Sequence, residues 1–254
     1  MNKVIEIRDL NFSYSAAAKT LADINLDVYA GETVGIIGPN GAGKSTLLLH
    51  LDGLLNGVGG ITICGRPLCK ENIVFIRQKV GLVFQDPEDQ LFMPTVYEDV
   101  AFGPKNQGLN KEAIEERVRS ALADVDLTGK KGCLSHHLSL GERKRAAIAA
   151  VLSMAPEILV LDEPNSNLDP RTRRHLIKLL SGFSVTKIIA THDLEMVLEL
   201  CDRVIILDQG RIAGQGRPKE ILSDKSLLES HGLEVPLSLS AGTLSVSNRL
   251  DFNL

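Results

Sequence analysis

Apolar residues along this chain fall into two kinds of run. Unbroken runs stand at Val34-Gly35-Ile36-Ile37, Val80-Gly81-Leu82-Val83-Phe84, Ile158-Leu159-Val160-Leu161 and, within residues 187–191, Ile188-Ile189-Ala190. Such runs belong to strands covered on both faces, as in a parallel sheet. Alternating runs stand at residues 4–10 and 21–28, on either side of Ala16-Ala17-Ala18. They predict an antiparallel pair with one solvated face. A short strand bounded by glycines follows at residues 59–65, and residues 204–207 and 211–213 read as a hairpin closed at Asp208-Gln209-Gly210. Between these runs the pattern changes to that of helices. Residues 46–51 are leucine-rich, 72–79 form a short helix, and 111–125 carry Ala113, Ile114, Val118 and Leu122 on one face. Thr95 with Glu98 three residues on has capping-box spacing, and Asp169-Pro170 reads as an N-cap followed by proline in the first turn of a helix to about residue 180. A further helix starts near Ser139 and is almost wholly apolar over residues 146–154, and Pro218 opens a short one. Strands alternating with helices predict an α/β fold around a mostly parallel sheet. Residues 86–137 are helical throughout by this reading, unlike the mixed sequence on either side; past Pro236 the chain is Ser-rich and no element is assigned.

The ends of the unbroken runs carry the candidate chemistry. The first leads into Gly38-Pro39-Asn40-Gly41-Ala42-Gly43-Lys44-Ser45 and then Thr46, a strand, a glycine-rich loop and a helix start in immediate succession. Glycines let such a loop curl around phosphates, the helix N-terminus supplies partial positive charge, and Lys44 a full one. Ser45 offers a hydroxyl to a Mg2+ bridging phosphates. The plain alternative is a turn with a surface lysine. Val80–Phe84 delivers Gln85 at its carboxyl end, and Ile158–Leu161 delivers Asp162-Glu163. Carboxylates that end a buried strand need a partner, and a metal suits Asp162 while a poised water suits Glu163. Otherwise both cap the following turn. The 187–191 strand delivers His192, and open α/β sheets gather their ligands at such carboxyl ends. Tyr14 could present a ring to a base or simply pack, and Ser139 with Gly141 could meet an anion or simply cap their helix.

Composition narrows the partners. The 254 residues are 44% hydrophobic and 24% charged with a formal net charge of −4, which gives no reason to expect nucleic acid. No apolar run is long enough to cross a bilayer, and the start shows no signal-peptide profile, so a cytoplasmic location is expected. Cys64, Cys69, Cys133 and Cys201 lack C-x-x-C spacing and are expected as reduced thiols. The adjacent His136-His137 are expected on the surface, without a metal.

Taken in order, these residues resemble the ATP-binding cassette (ABC) ATPases over about residues 3–230. The resemblance implies a P-loop NTPase (RecA-like) core with an antiparallel β subdomain and a helical signature subdomain. It divides the chain into an ABC ATPase domain over residues 1–235, with a helical part at about 86–153 inserted in the α/β core, and a short tail at 236–254. It also implies roles. Tyr14 stacks on adenine, and Gly38, Pro39, Asn40, Gly41, Ala42, Gly43, Lys44, Ser45 and Thr46 hold the ATP phosphates. Ser45, Gln85 and Asp162 hold Mg2+, while Glu163, His192, Gln85 and Lys44 serve hydrolysis. Ser139 and Gly141 of Leu138-Ser139-Leu140-Gly141-Glu142 contact the nucleotide of a second subunit in a head-to-tail dimer. The usual signature is L-S-G-G-Q, so Leu140 and Glu142 depart from it.

Gln85-Asp86-Pro87-Glu88-Asp89-Gln90-Leu91-Phe92 and residues 94–104 are similar to the ATPase subunits of energy-coupling factor (ECF) importers, in particular their cobalt and nickel branch. That resemblance implies a motor at the cytoplasmic face of the membrane, paired with a second ABC ATPase subunit, a transmembrane T component and a substrate-binding S component. Its substrate would be a transition-metal ion. The alternatives are a shared ECF ATPase energising vitamin uptake, or a soluble ABC ATPase acting on nucleic acid or ribosomes. The latter is expected to carry a tandem cassette, a coiled-coil insertion or zinc-binding cysteines.

Overall fold

A computed structural model describes residues 2–15 and 19–240. Ala16-Ala17-Ala18 and the tail beyond residue 240 lie outside the described residues. Ten strands are present among those described: β1 (Lys3–Phe12), β2 (Leu21–Tyr29), β3 (Thr33–Ile37), β4 (Val58–Ile63), β5 (Arg66–Pro67), β6 (Val80–Val83), β7 (Ile158–Asp162), β8 (Thr186–Ala190), β9 (Arg203–Asp208) and β10 (Arg211–Gly216). They form two sheets, one of order β2-β1-β4-β5 and one of order β10-β9-β3-β8-β7-β6. The first is antiparallel throughout, and the two alternating runs, β1 and the edge strand β2, pair as expected. In the second, β9, β3, β8, β7 and β6 run parallel and only the edge strand β10 runs against them. The unbroken apolar runs are β3, β8, β7 and the edge strand β6, and β3 and β8 are buried at every position.

The main helices are α1 (Lys44–Leu51), α2 (Ile73–Lys79), α3 (Val96–Asn106), α4 (Lys111–Asp124), α5 (Leu140–Leu152), α6 (Pro170–Gly182) and α7 (Leu194–Leu200), with α8 (Pro218–Ser223), α9 (Lys225–Ser230) and α10 (Leu237–Ser240) closing the described chain. Each side of the parallel sheet has its own core. Ile158 and Val160 of β7 point to a cluster shared with β1, β2 and α1, whereas Leu159 and Leu161 point to one shared with α3, α4, α5 and α6. This is the two-residue period of a strand, read on both faces.

The connection from β6 to β7 holds α3, α4 and α5 with short 3-10 turns between them, as the helical pattern predicts. Thr95 and Glu98 form the predicted capping box at the start of α3. One departure from pattern is Pro104 inside α3. A proline there has no N–H for the carbonyl four residues back, which is that of Val100. The Ser153 hydroxyl donates to the Val100 carbonyl at 2.8 Å instead. In the order β3-β8-β7-β6, four parallel strands end side by side, so the segments that follow them converge on one edge of the sheet.

Candidate active site

At that edge a cleft of about 690 Å³ is lined by Tyr14, Lys44, Ser45, Gln85, Glu163 and His192 among others. The loop from β3 to α1 forms its floor. Gly38 has φ 151° and a Cβ there would lie 1.9 Å from the Leu207 carbonyl oxygen, while Gly43 has φ 103° and a Cβ would lie 2.8 Å from the Thr20 oxygen. Both positions exclude a side chain twice over, by backbone conformation and by contact. No side chain caps α1, so its first N–H groups remain available to an anion. The Lys44 ammonium donates to the Gly38 carbonyl at 2.8 Å and the Pro39 carbonyl at 3.1 Å, arched over the loop it serves. Burial lowers its pKa, opposed by the charges of Glu163 and Asp162. Tyr14 is exposed at the cleft rim, its ring edge-on to Phe12 and its hydroxyl 3.4 Å from the Thr46 hydroxyl.

Asp162 ends β7 and faces the loop, with the Ser45 side chain beside it. Its Oδ1 is buried and has no hydrogen-bond partner among the described residues. Burial, and then the neighbouring Glu163, raise its pKa. An unpartnered carboxylate oxygen beside a hydroxyl is a hard-oxygen donor set that fits Mg2+. When bound, the ion supplies charge neutralisation at the β- and γ-phosphates.

Glu163 adopts φ 44°, a left-handed conformation that costs a non-glycine residue roughly 1–2 kcal/mol. The turn aims its carboxylate back toward the end of β8. There the oxygen Oε2 lies 2.7 Å from His192 Nδ1, and it accepts from the Thr191 hydroxyl and the His192 N–H, each at 3.4 Å. Two residues chosen separately from the sequence are thus direct partners. His192 is held in turn from its next residue: Asp193 caps α7 through the Met196 N–H, pairs with the Arg173 guanidinium and accepts from Asn165. Gln85 is exposed just beyond β6 and lines both this cleft and a smaller one with Asp86, Asp89 and Leu140.

Ser139 and Gly141 do not line the cleft. Ser139 is the N-cap of α5, and its capping-box partner is Glu142. The Glu142 carboxylate accepts from the Ser139 N–H at 2.9 Å and hydroxyl at 3.0 Å, and it lies 3.0 Å from the Lys130 ammonium. These contacts, the Ser139 backbone first, bring its pKa down to about 2. Gly141 abuts α6, where a Cβ would meet Thr172 Cγ2 at 2.3 Å. Ser166 and Asn167, in the stretch 165–169 that the family resemblance matches to the D-loop, also line the cleft, as does Thr20, which was not picked out from the sequence. The left-handed φ of 61° at Asn167 is the kind of turn that an Asn in a polar loop signals.

Past the acidic turn at Pro87–Asp89, whose 3-10 helix is capped by Asp86, the chain enters a more apolar groove of about 580 Å³ lined by Val74, Arg77, Gln90, Phe92, Phe102 and Met154. Phe92 is 62% exposed, with Phe102 edge-on at 5.0 Å. Among the described residues no helix is long and apolar enough to cross a membrane, and no group of His, Cys, Asp or Glu is arranged to hold a metal ion by itself. The cysteines are free, and His136 and His137 are exposed.

Fold and cleft together define a P-loop protein built to bind and split a nucleoside triphosphate. The family described as ABC transporter matches residues 21–166, more than half of the chain, and the chain belongs to the ABC transporter ATPases. It is an ATPase, and its nucleotide is ATP with Mg2+. The energy-coupling factor transporter ATP-binding protein EcfA of Methanothermobacter thermautotrophicus is 47% identical over 239 residues, covering 92% of this chain and 77% of that protein. A solved structure of CbiO1 from Clostridium perfringens, described as part of the ABC transporter complex CbiONQ, superposes with a TM-score of 0.82 at 37% identity, covering 96% of this chain and 100% of that one. A dimeric ATP-binding cassette in a post-hydrolysis state, bound to ADP and phosphate, superposes with a TM-score of 0.76 at 26% identity, over 84% of this chain and 98% of that one. The chain is therefore an ATPase subunit of the ABC and ECF type.

Proposed function

We propose that this chain is the motor of an ECF-type importer for a transition-metal ion, cobalt or nickel, working at the cytoplasmic face of the membrane with a T and an S component. The observation that carries the reading is the position of Gln85. It lines the ATP cleft and a smaller cleft with Asp86 and Asp89, and the acidic turn it opens runs on to Gln90 and Phe92 in a groove with two exposed phenylalanines. A membrane partner with a short amphipathic helix fits there, its apolar face on Phe92 and Phe102 and its basic residues near Asp86, Glu88 and Asp89. The likeness to CbiO1 supports the metal branch.

Within the motor, residues 1–235 act as one ABC domain carrying a helical subdomain at about 86–153. Tyr14 receives adenine; residues 38–46 and Lys44 hold the phosphates; Ser45, Gln85 and Asp162 hold Mg2+. Glu163 takes a proton from the attacking water and His192 fixes its carboxylate. Ser139 and Gly141 lie off the cleft of their own chain, which suits a head-to-tail dimer in which they serve the nucleotide of a second subunit. The test is purification of the chain from detergent-solubilised membranes, followed by ATP-driven uptake of radiolabelled cobalt or nickel into vesicles holding the recovered complex. Metal uptake supports the reading. Uptake of a vitamin instead moves the chain to the shared ECF class, and recovery with RNA or DNA and without membrane proteins overturns the transport reading.

A further inference from the structure

Lys144 stands in the second turn of α5 and is 6% exposed. Its ammonium lies 3.1 Å from the Gln85 carbonyl oxygen, 3.1 Å from the Glu163 carbonyl oxygen and 2.9 Å from the Ser166 hydroxyl. An ammonium has three protons, and here each has one acceptor. The acceptors come from three different places: the residue that opens the acidic turn, the residue after β7, and the turn beyond it. All three are uncharged. Burying a charge with no carboxylate in direct contact is costly, and an unbranched apolar side chain would fill the same space without that cost. Packing alone therefore does not account for a lysine here. Ser166 closes the arrangement, because its hydroxyl also donates to the Glu163 carbonyl at 2.9 Å. The Glu163 main chain, already in its left-handed turn, is thereby held from two sides.

We infer that Lys144 is a positioning residue for hydrolysis: it fixes the main chain of Glu163 and of Gln85 around one ammonium and so ties the helix that follows Ser139 to the carboxylate in the cleft. The inference rests on the reading of Glu163 as the group that activates water. Lys144 does not itself line the ATP cleft; it stands behind Gln85, Glu163 and Ser166, which do. A movement of α5 relative to the parallel sheet is transmitted through it to the two residues that must be in register with the γ-phosphate.

Lys144→Met keeps an unbranched side chain one atom shorter and removes every donor. In the full-length protein, at concentrations where hydrolysis no longer rises with protein, the expected result is a fall in kcat of about tenfold to a hundredfold, the cost of a small misplacement. KM for ATP and the binding stoichiometry of a fluorescent ATP analogue should remain within about twofold of wild type. Wild-type kcat in Lys144→Met overturns the inference, as does a loss of ATP affinity parallel to that of kcat, which marks a merely structural role. Should Lys144→Met fail to fold, Lys144→Gln carries the same test, with two donors for three acceptors and a smaller loss of kcat at unchanged affinity. Glu163→Gln is measured alongside. If it is inactive while Lys144→Met is fully active, the inference alone fails; if Glu163→Gln itself turns over normally, the assignment beneath it fails.

Discussion

Glu163 bears more constraint than any other residue in the cleft. It is 8% exposed, left-handed in backbone and engaged at Oε2 by His192 and Thr191. Glu163→Gln preserves its size and these contacts but not its basicity. ATP binding should persist while turnover falls by several orders of magnitude, as followed by phosphate release and by nucleotide titration. Glu142 has a different task, that of capping, and its pH signature follows from the contacts that bring its carboxyl down from 4.5 to about 2. A carboxyl held below its unfolded value adds stability that is complete above the unfolded pKa and is lost as pH falls toward the folded one. Between about pH 5 and about pH 3 the wild type should therefore lose more of its melting temperature than Glu142→Gln does; equal losses would remove Glu142 from this account. Asp162 and Glu163 were legible because carboxylates that end a buried strand demand a reason. Lys144 was not, because a lysine between Arg143 and Arg145 reads as a solvated face, and only the fold turns it inward.

Helix α5 is seated against α6 by a missing side chain. A Cβ at Gly141 would stand 2.3 Å from Thr172 Cγ2, so Gly141→Ala should cost about 1–3 kcal/mol through overpacking. Thr172→Ser removes that methyl and keeps the hydroxyl, which donates to Asp169. The double variant should recover more than half of the loss, as measured by urea denaturation, and no recovery would mean that the contact is not the cause. At this scale the sequence was most informative where the partner is near. The capping box of Thr95 and Glu98 spans one turn, and it was readable. The hydroxyl that satisfies the Val100 carbonyl behind Pro104 comes from Ser153 on another helix, and nothing local announces it. The pairing of β1 with β4 joins segments about fifty residues apart in sequence, and it too had to be observed.

At the scale of the molecule, the phosphate loop and the cap of α5 stand apart on one chain. In the proposed head-to-tail dimer, a single copy holds one half of two sites. The specific hydrolysis rate should rise steeply as protein is concentrated and vanish on dilution, and a rate per chain independent of concentration would count against a shared site. The sheet order was within reach of the sequence only as far as the unbroken runs implied a parallel core; which strands are neighbours depends on crossings that periodicity does not encode.

The cap of α5 has one more consequence. The Ser139 N–H and hydroxyl are already committed to the carboxylate three residues on, which Lys130 holds in place. An incoming anion must first evict this tenant. Stray phosphate in the surrounding fluid therefore meets donors that are already taken. The exposed end of the helix is thus muted by the chain's own side chain.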